Sequence, residues 1–271
     1  MTWVGISGWT YPGWRGDFYP KGLPHRRELE YAARQLTSIE INGSFYALQR
    51  PSSYARWREE VPDDFVFAVK GGRFITHLKR LHDVETPLAN FFASGVLNLG
   101  TALGPLLWQL PATVSFDEQV LADFFDLLPR TTTDAARLAL RHDDKLSGDR
   151  LWSGEVDERP MRHALEGRHP SFGSDEAVAL MNDRDIALVV ADSAGRWPRF
   201  DHATGPIVYV RLHGDTELYT SGYSDEALDV WAERLAGWTG SGRDAFVYFD
   251  NDAKGFAPQD ARKLLDRLDR S

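Results

Sequence analysis

Residues 207–214 read IVYVRLHG. The run is apolar, rich in β-branched side chains and too short for an ordinary helix, which marks a strand covered on both faces. Side chains alternate along a strand, so Arg211 and His213 share a face with Ile207 and Tyr209, opposite Val208, Val210 and Leu212. An apolar run thus ends in a polar pair. SIEINGSFY, residues 38–46, repeats the arrangement: Glu40 and Asn42 share one face, and Ile39 and Ile41 take the other. With Ser38–Asn42 and Ile207–Leu212, six further runs read as strands: Trp3–Ser7, Phe65–Lys70, Pro105–Leu110, Leu138–Arg141, Ile186–Asp192 and Ala245–Phe249. They end at or beside Ser7, Lys70, Gln109, Arg141, Asp192 and Asp250.

Amphipathic helix patterns lie between these runs, over Arg26–Leu36, Ser52–Glu60, Leu88–Leu103, Asp117–Leu128, Asp175–Met181, Asp225–Leu235 and Pro258–Leu268. Several open on Ser or Asp, which cap helix N-termini, and Pro258 suits a first turn. Alternating strands and helices build an open doubly wound sheet or a closed barrel. An open sheet gathers its ligand groups at one switch point, usually behind a Gly-rich turn. Gly5, Gly8 and Gly13 do not make that turn. Only a barrel brings all eight polar strand ends to one mouth. The expected fold is therefore α/β, a single (β/α)8 TIM-like barrel domain over residues 1–271. It should be irregular at the fifth connection, Asp143–Gly173, which is long and charged, and at the sixth, Ser193–Gly205, which lacks a helix pattern.

The composition agrees with such a core: 42% of the residues are apolar and 26% charged, which excludes a disordered chain. A net charge of −9 argues against a broad nucleic-acid-binding face, though a small basic pocket survives that objection. The absence of Cys removes disulfides, thiolate nucleophiles and Cys-ligated zinc or iron–sulfur centres. MTWVGISGW lacks the basic segment and apolar stretch of a signal peptide, and no apolar run approaches the ~20 residues that span a bilayer. A cytoplasmic protein without a membrane partner is expected.

Lys70, Arg141 and Arg211 end three different strands, and together they would make an anion site, with Arg gripping a phosphate or carboxylate bidentately. Glu40, His213 and His142 are the acid–base candidates. A structural Glu40–Arg211 pair closing the barrel top is the competing interpretation. His142 joins Arg141 in one pocket only if the strand stops there. Asn42 and Gln109 would orient a substrate, and Tyr46 would present a ring to it. His77, His142 and His213, with Glu40 and Asp192, are metal-ligand types, but Lys70 and Arg211 oppose a bound cation. Neither a tightly bound metal nor a cofactor is expected. The loop GWTYPGWRGDFYP, residues 8–20, carries Trp9, Tyr11, Trp14, Phe18 and Tyr19. Those rings either stack on a ligand or pack a long loop onto the rim.

GISGWTYPGWRGDFYP, EINGSFY, FVFAVKGGRFITH, QLP, LRH, VRLHG and YFDNDAKGFAPQDA follow one another in the order of the YecE-like proteins, domain of unknown function 72. The chain resembles that family from Val4 to about Leu264. The resemblance implies a TIM-like barrel and no assigned reaction. It carries forward Glu40, Asn42, Tyr46, Lys70, His77, Gln109, Arg141, His142, Arg211, His213 and Asn251 as positions matching the family pattern. Against that pattern, an acidic residue two before the fifth-strand Arg falls at Ala139, a Trp after the His falls at Lys145, and Phe249-Asp250-Asn251 replaces Phe-Asn-Asn. A modified or reduced activity would follow from the first two.

The leading expectation is an enzyme acting on a small phosphorylated or otherwise anionic, sugar-like compound. Arg211, Arg141 and Lys70 hold the anion, while Glu40, His213 and His142 move protons. A module that binds or processes a nucleic-acid end or damaged nucleotide is the second reading, with Tyr46 or Trp9 stacking a base. A scaffold with a relict pocket is the third. A basic groove running beyond the mouth would favour nucleic acid, and a closed pocket a small molecule.

Overall fold

The computed structural model describes residues 1–269, in which the apolar runs form one parallel sheet. Its strands are β1 (Thr2–Ser7), β2 (Ser38–Ile41), β3 (Val66–Lys70), β4 (Leu103–Gln109), β5 (His163–Glu166), β6 (Ile186–Leu188), β7 (Val190–Asp192), β8 (Ile207–Leu212) and β9 (Asp244–Phe249). The lateral order is β6-β5-β4-β3-β2-β1-β9-β8-β7. Its two ends, β6 and β7, are consecutive in the chain and separated only by Val189. β6 pairs with β5 and β7 with β8, so one interrupted strand closes the sheet on itself. The result is a TIM-like barrel of eight staves, the sixth broken at Val189.

Helices α1 (Glu28–Ala33), α2 (Gly43–Tyr46), α3 (Pro51–Glu59), α4 (Glu85–Ala93), α5 (Glu118–Leu127), α6 (Thr132–Ala139), α7 (Asp175–Asp183), α8 (Asp225–Gly240) and α9 (Phe256–Leu268) occupy the connections. Four start where a side-chain oxygen takes an orphan N–H: Asp117 caps α5, Thr131 α6, Ser174 α7 and Ser224 α8. No helix follows β7 before β8, as the sixth connection led one to expect. Among the described residues no helix is long and apolar enough to cross a membrane.

One strand expectation fails. Leu138–Arg141 is not the fifth strand but the last turn of α6 and the turn beyond it. Thr131 caps that helix, Thr132, Ala135 and Ala139 face inward at helical spacing, and Leu140 is 81% exposed, which no stave of a buried sheet permits. The fifth strand is His163–Glu166, inside what had read as a connection.

Alternation divides the core in two. One face of the strands packs under the helices as the main cluster, while the other fills the barrel with Ala68, Leu107, Ala164, Ala187, Ala191, Ile207, Tyr209, Phe246 and Tyr248. Small alanines leave room for the rings. Trp3 and Phe246 stack at 4.8 Å between centroids, and Tyr209 and Tyr248 lie 5.1 Å apart. One step further along this inward parity stand Glu40, Lys70, Gln109, Glu166, Arg211 and Asp250.

Candidate functional site

The polar layer is organised by Arg211, whose guanidinium is buried. Its Nε donates to Glu40 Oε2 at 3.1 Å, Nη1 to Glu166 Oε2 at 2.8 Å, and Nη2 to Glu40 Oε1 and Asp250 Oδ2, both at 2.9 Å. Four of the five N–H donors are thereby committed. Glu40 is buried and saturated, since Tyr209 Oη also donates to it at 2.7 Å and Ser7 Oγ at 3.0 Å. Glu166 takes a second cation, Arg168 Nε, at 2.6 Å. Burial resists ionisation of Glu166, but Arg168 and Arg211 outweigh it and hold its carboxyl well below the usual range. Asp250 follows the same logic: burial raises its pKa, yet Arg211 and the neighbouring His213 bring it down to about 2.

Above this layer opens a cavity of about 640 Å3, lined by Tyr11, Asn42, Phe45, Tyr46, Lys70, His77, Gln109, Arg168, Arg211, Tyr219, Asp250 and Asp252. Two of its cations differ from Arg211. Arg168 is pinned at Nε and its guanidinium lies 3.7 Å from the Trp197 ring centroid, while no described residue accepts from its Nη atoms. Lys70 is only 9% exposed, and its Nζ sits 4.3 Å from the Phe45 ring centroid. Among the described residues none hydrogen-bonds or ion-pairs with that Nζ. Burial first, and Arg211 second, lower the Lys70 pKa to about 8.

The neutral groups around the cavity complete its chemistry. Asn42 Oδ1 is buried without a hydrogen-bond partner. His77, on a π turn (Phe74–Leu78), packs edge-on against Phe45 and shares a hydrogen bond between Nδ1 and Thr76 Oγ1 at 2.9 Å. Its pKa is lowered by burial and by Lys70 and Arg168. Burial raises the carboxyl pKa of Asp252. Gln109 is held by a 2.7 Å bond from Nε2 to the Leu110 carbonyl. Among the described residues no three His, Asp or Glu side chains are placed to share a metal ion.

Of the expected site residues, Asn42, Tyr46, Lys70, His77, Gln109 and Arg211 line the cavity. Tyr46 stands on its rim, well exposed. Glu40 lies beneath the cavity as the partner of Arg211, so the competing interpretation of that pair describes it, and a free acid–base role does not. His213 is buried behind Asp250, its Nδ1 3.0 Å from Asp250 Oδ2 but off the line of a good hydrogen bond, and its ring packs on Trp197 and Tyr219. Arg141 and His142 are corrected outright. They follow α6, where Arg141 is exposed and paired with Glu85, and His142 Nδ1 meets the Asp143 carbonyl. Asn251 is buried outside the cavity, its Nδ2 donating to Ser221 O and Asp260 Oδ2 and so tying a loop to α9.

The sequence reading missed Glu166 and Arg168, which follow directly from the misplaced fifth strand. With β5 at 163–166, the acidic residue two before an Arg is Glu166 before Arg168, followed by His169 and then by Phe172 in the aromatic place. The apparent losses at Ala139 and Lys145 fall on a helix and a surface turn, and the inference of reduced activity falls with them. In the first loop Trp14, Phe18 and Tyr19 are buried against one another, so those rings pack the loop onto the rim. Tyr11 reaches the cavity and donates to the Ser7 carbonyl at 2.6 Å.

Residues 3–271 match the family described as "Protein of unknown function DUF72". UPF0759 protein YecE of Escherichia coli K12 is 26% identical over 244 residues, which are 88% of this chain and 82% of that protein. The crystal structure of a DUF72 family protein from Thermotoga maritima superposes with a TM-score of 0.80 at 23% identity, covering 99% of each chain. D-Psicose 3-epimerase from Clostridium cellulolyticum shares the barrel at a TM-score of 0.52 and 11% identity, over 99% of this chain and 98% of that one. The chain belongs to the DUF72 family of TIM-like barrel proteins.

Proposed function

We propose that this protein is an enzyme that takes a small anionic, hydroxyl-rich molecule into the barrel mouth. The observation that carries the reading is that two cations, Arg168 and Lys70, line one cavity with N–H donors that no described residue uses. The anion contact thus passes from Arg211, whose donors are committed, to Arg168. Its pinned Nε and the Trp197 stack hold a planar fork in place, the geometry that grips a phosphate or carboxylate bidentately. Lys70 adds a second positive charge, Asn42 Oδ1 offers a buried acceptor to a hydroxyl, and Tyr11, Phe45 and Tyr219 supply ring surfaces. His77 and Asp252 take over the acid–base candidacy from Glu40, His213 and His142, since both line the cavity. Glu40, Glu166 and Asp250 balance Arg211, Arg168 and Lys70, so the attraction for an anion is local rather than a basic groove, which favours a small molecule over nucleic acid.

Thermal unfolding in phosphate tests the proposal. A bound anion stabilises by mass action, so Tm should rise saturably with phosphate beyond the rise in chloride at matched ionic strength. Kosmotropic exclusion adds a non-saturating slope to every variant. In Arg168→Gln the saturable part should vanish and the slope remain. A wild type with no saturable part, or an Arg168→Gln variant that keeps it whole, overturns the reading.

A further inference from the structure

We infer that Lys70 forms an imine with the carbonyl carbon of its substrate, which narrows the ligand class to small aldehydes and ketones bearing an anionic group. The substrate's charge rests on the anion-binding reading above; the chemistry at Lys70 does not. Three carboxylates stand in the same layer, yet all are spent on other groups: Glu40 on Arg211, Glu166 on Arg211 and Arg168, Asp250 on Arg211 and His213. Lys70 is left with an aromatic ring beneath Nζ and the cavity above it. A lysine meant only to steady the barrel would be paired, because a buried charge without a partner costs stability.

The surroundings instead suit a neutral amine. With the pKa at about 8, roughly a tenth of the molecules present that form at pH 7, against well under one in a thousand for an ordinary lysine. Desolvation beside another cation is how proteins make lysine a nucleophile. In the step itself, the nitrogen lone pair attacks the carbonyl carbon, the C=O π pair moves to oxygen, and a proton leaves the nitrogen as one reaches that oxygen, giving a neutral carbinolamine. Loss of the hydroxyl with a proton from nitrogen leaves the imine and one water, with no change in oxidation state. His77 packs against the same Phe45 ring that underlies Lys70, and Asp252 lines the same cavity, so proton carriers border the site of the dehydration. Asn42 Oδ1 offers an acceptor to the carbinolamine hydroxyl.

Borohydride trapping on the full chain tests this, with glyoxylate and dihydroxyacetone phosphate as probes. Each trapped molecule adds the mass of the probe less one oxygen. Peptide mapping should place the adduct on Lys70 at a level on the order of tenfold above exposed Lys145. Labelling of Lys70 should rise with pH through about 8, and Lys70→Arg should lose it. Labelling of Lys70 no greater than of Lys145 overturns the inference. If the phosphate-dependent rise in Tm persists in that case, the anion site stands without the imine. A Lys70 adduct in a protein that shows no phosphate effect supports the imine and removes the anionic requirement.

Discussion

Arg211 and Lys70 are both buried cations in the polar layer at the barrel mouth, and they should respond to truncation in opposite directions. Arg211 holds three carboxylates together, so Arg211→Met leaves Glu40 and Asp250 without their arginine and Glu166 with Arg168 alone. Breaking such a buried network typically costs about 3–5 kcal/mol. Among the described residues Lys70 has no ion-pair partner, and its folded pKa of about 8 lies below the ordinary 10.5. Below pH 8 the ammonium is present in both folded and unfolded chains, so the full penalty of burying it weighs on the fold. As pH rises from 8 to 10.5 the folded protein sheds the proton before the unfolded one, and the penalty fades. Lys70→Met should therefore stabilise the protein at pH 7, by on the order of 1–3 kcal/mol, and have almost no effect near pH 10.5. Denaturant titrations of both variants at the two pH values decide it. A Lys70→Met protein less stable than wild type at pH 7 would mean that the ammonium has a partner after all.

The elements legible in the sequence were those in which a long apolar run reaches a polar end. In β8 and β2 parity alone put Arg211 on the same face as Tyr209, and Glu40 on the same face as Asn42, and the barrel keeps those faces inward. The broken sixth stave also read as one strand, since interrupting the pairing at Val189 changes no side-chain pattern. β5 was illegible because it is four residues, HALE, of which two are polar, and a satisfied buried His looks no different in sequence from an exposed one. Leu138–Arg141 had the apolar look of a strand, and the Thr131 cap that makes it helical lies seven residues before it. Glu166 and Arg168 were lost with β5, and while a structural Glu40–Arg211 pair was legible as one of two readings, nothing in the sequence added Glu166 and Asp250 to it. The single residue between Glu166 and Arg168 leaves a mark that can be tested. Gly167 has no room for a side chain: a Cβ there would stand 2.2 Å from the ring of buried Phe172. Gly167→Ala should displace that ring or the strand end, costing about 1–3 kcal/mol, and should weaken the saturable phosphate effect because Arg168 moves with the strand. A variant with wild-type stability would show that Phe172 yields freely.

Across the whole molecule, the distribution of buried titrating groups sets how the fold meets acid. His163 lies in the wall behind the barrel, its Nδ1 accepting from Trp108 Nε1 at 3.2 Å and its Nε2 facing the Pro129 carbonyl at 2.8 Å. Both nitrogens are satisfied only in the neutral ring. Burial, offset in part by the Pro129 hydrogen bond, lowers its pKa to about 4 from 6.5. Between those values the unfolded chain binds a proton that the folded one refuses, so stability falls as pH drops from 6.5 to 4. Asp250, held at about 2 against 3.8, and Glu166, held below 4.5, act in the window beneath. There the unfolded carboxylates protonate first, and the stability that Arg211 gives them is lost on the way down. The two windows nearly meet, so wild-type stability should decline in two successive stages, the upper on the order of 3 kcal/mol and the lower, which carries two carboxylates, larger. Urea denaturation at closely spaced pH values reads both. His163→Gln keeps a hydrogen-bonding side chain without the titration, and should flatten the stage between pH 6.5 and 4 while leaving the lower one in place. Phosphate should continue to stabilise that variant at pH 5, because Glu166 and Asp250, both held low, remain ionised there. A wild-type protein equally stable at pH 7 and pH 4.5 would show that His163 is protonated within the fold, and that burial does not hold it neutral.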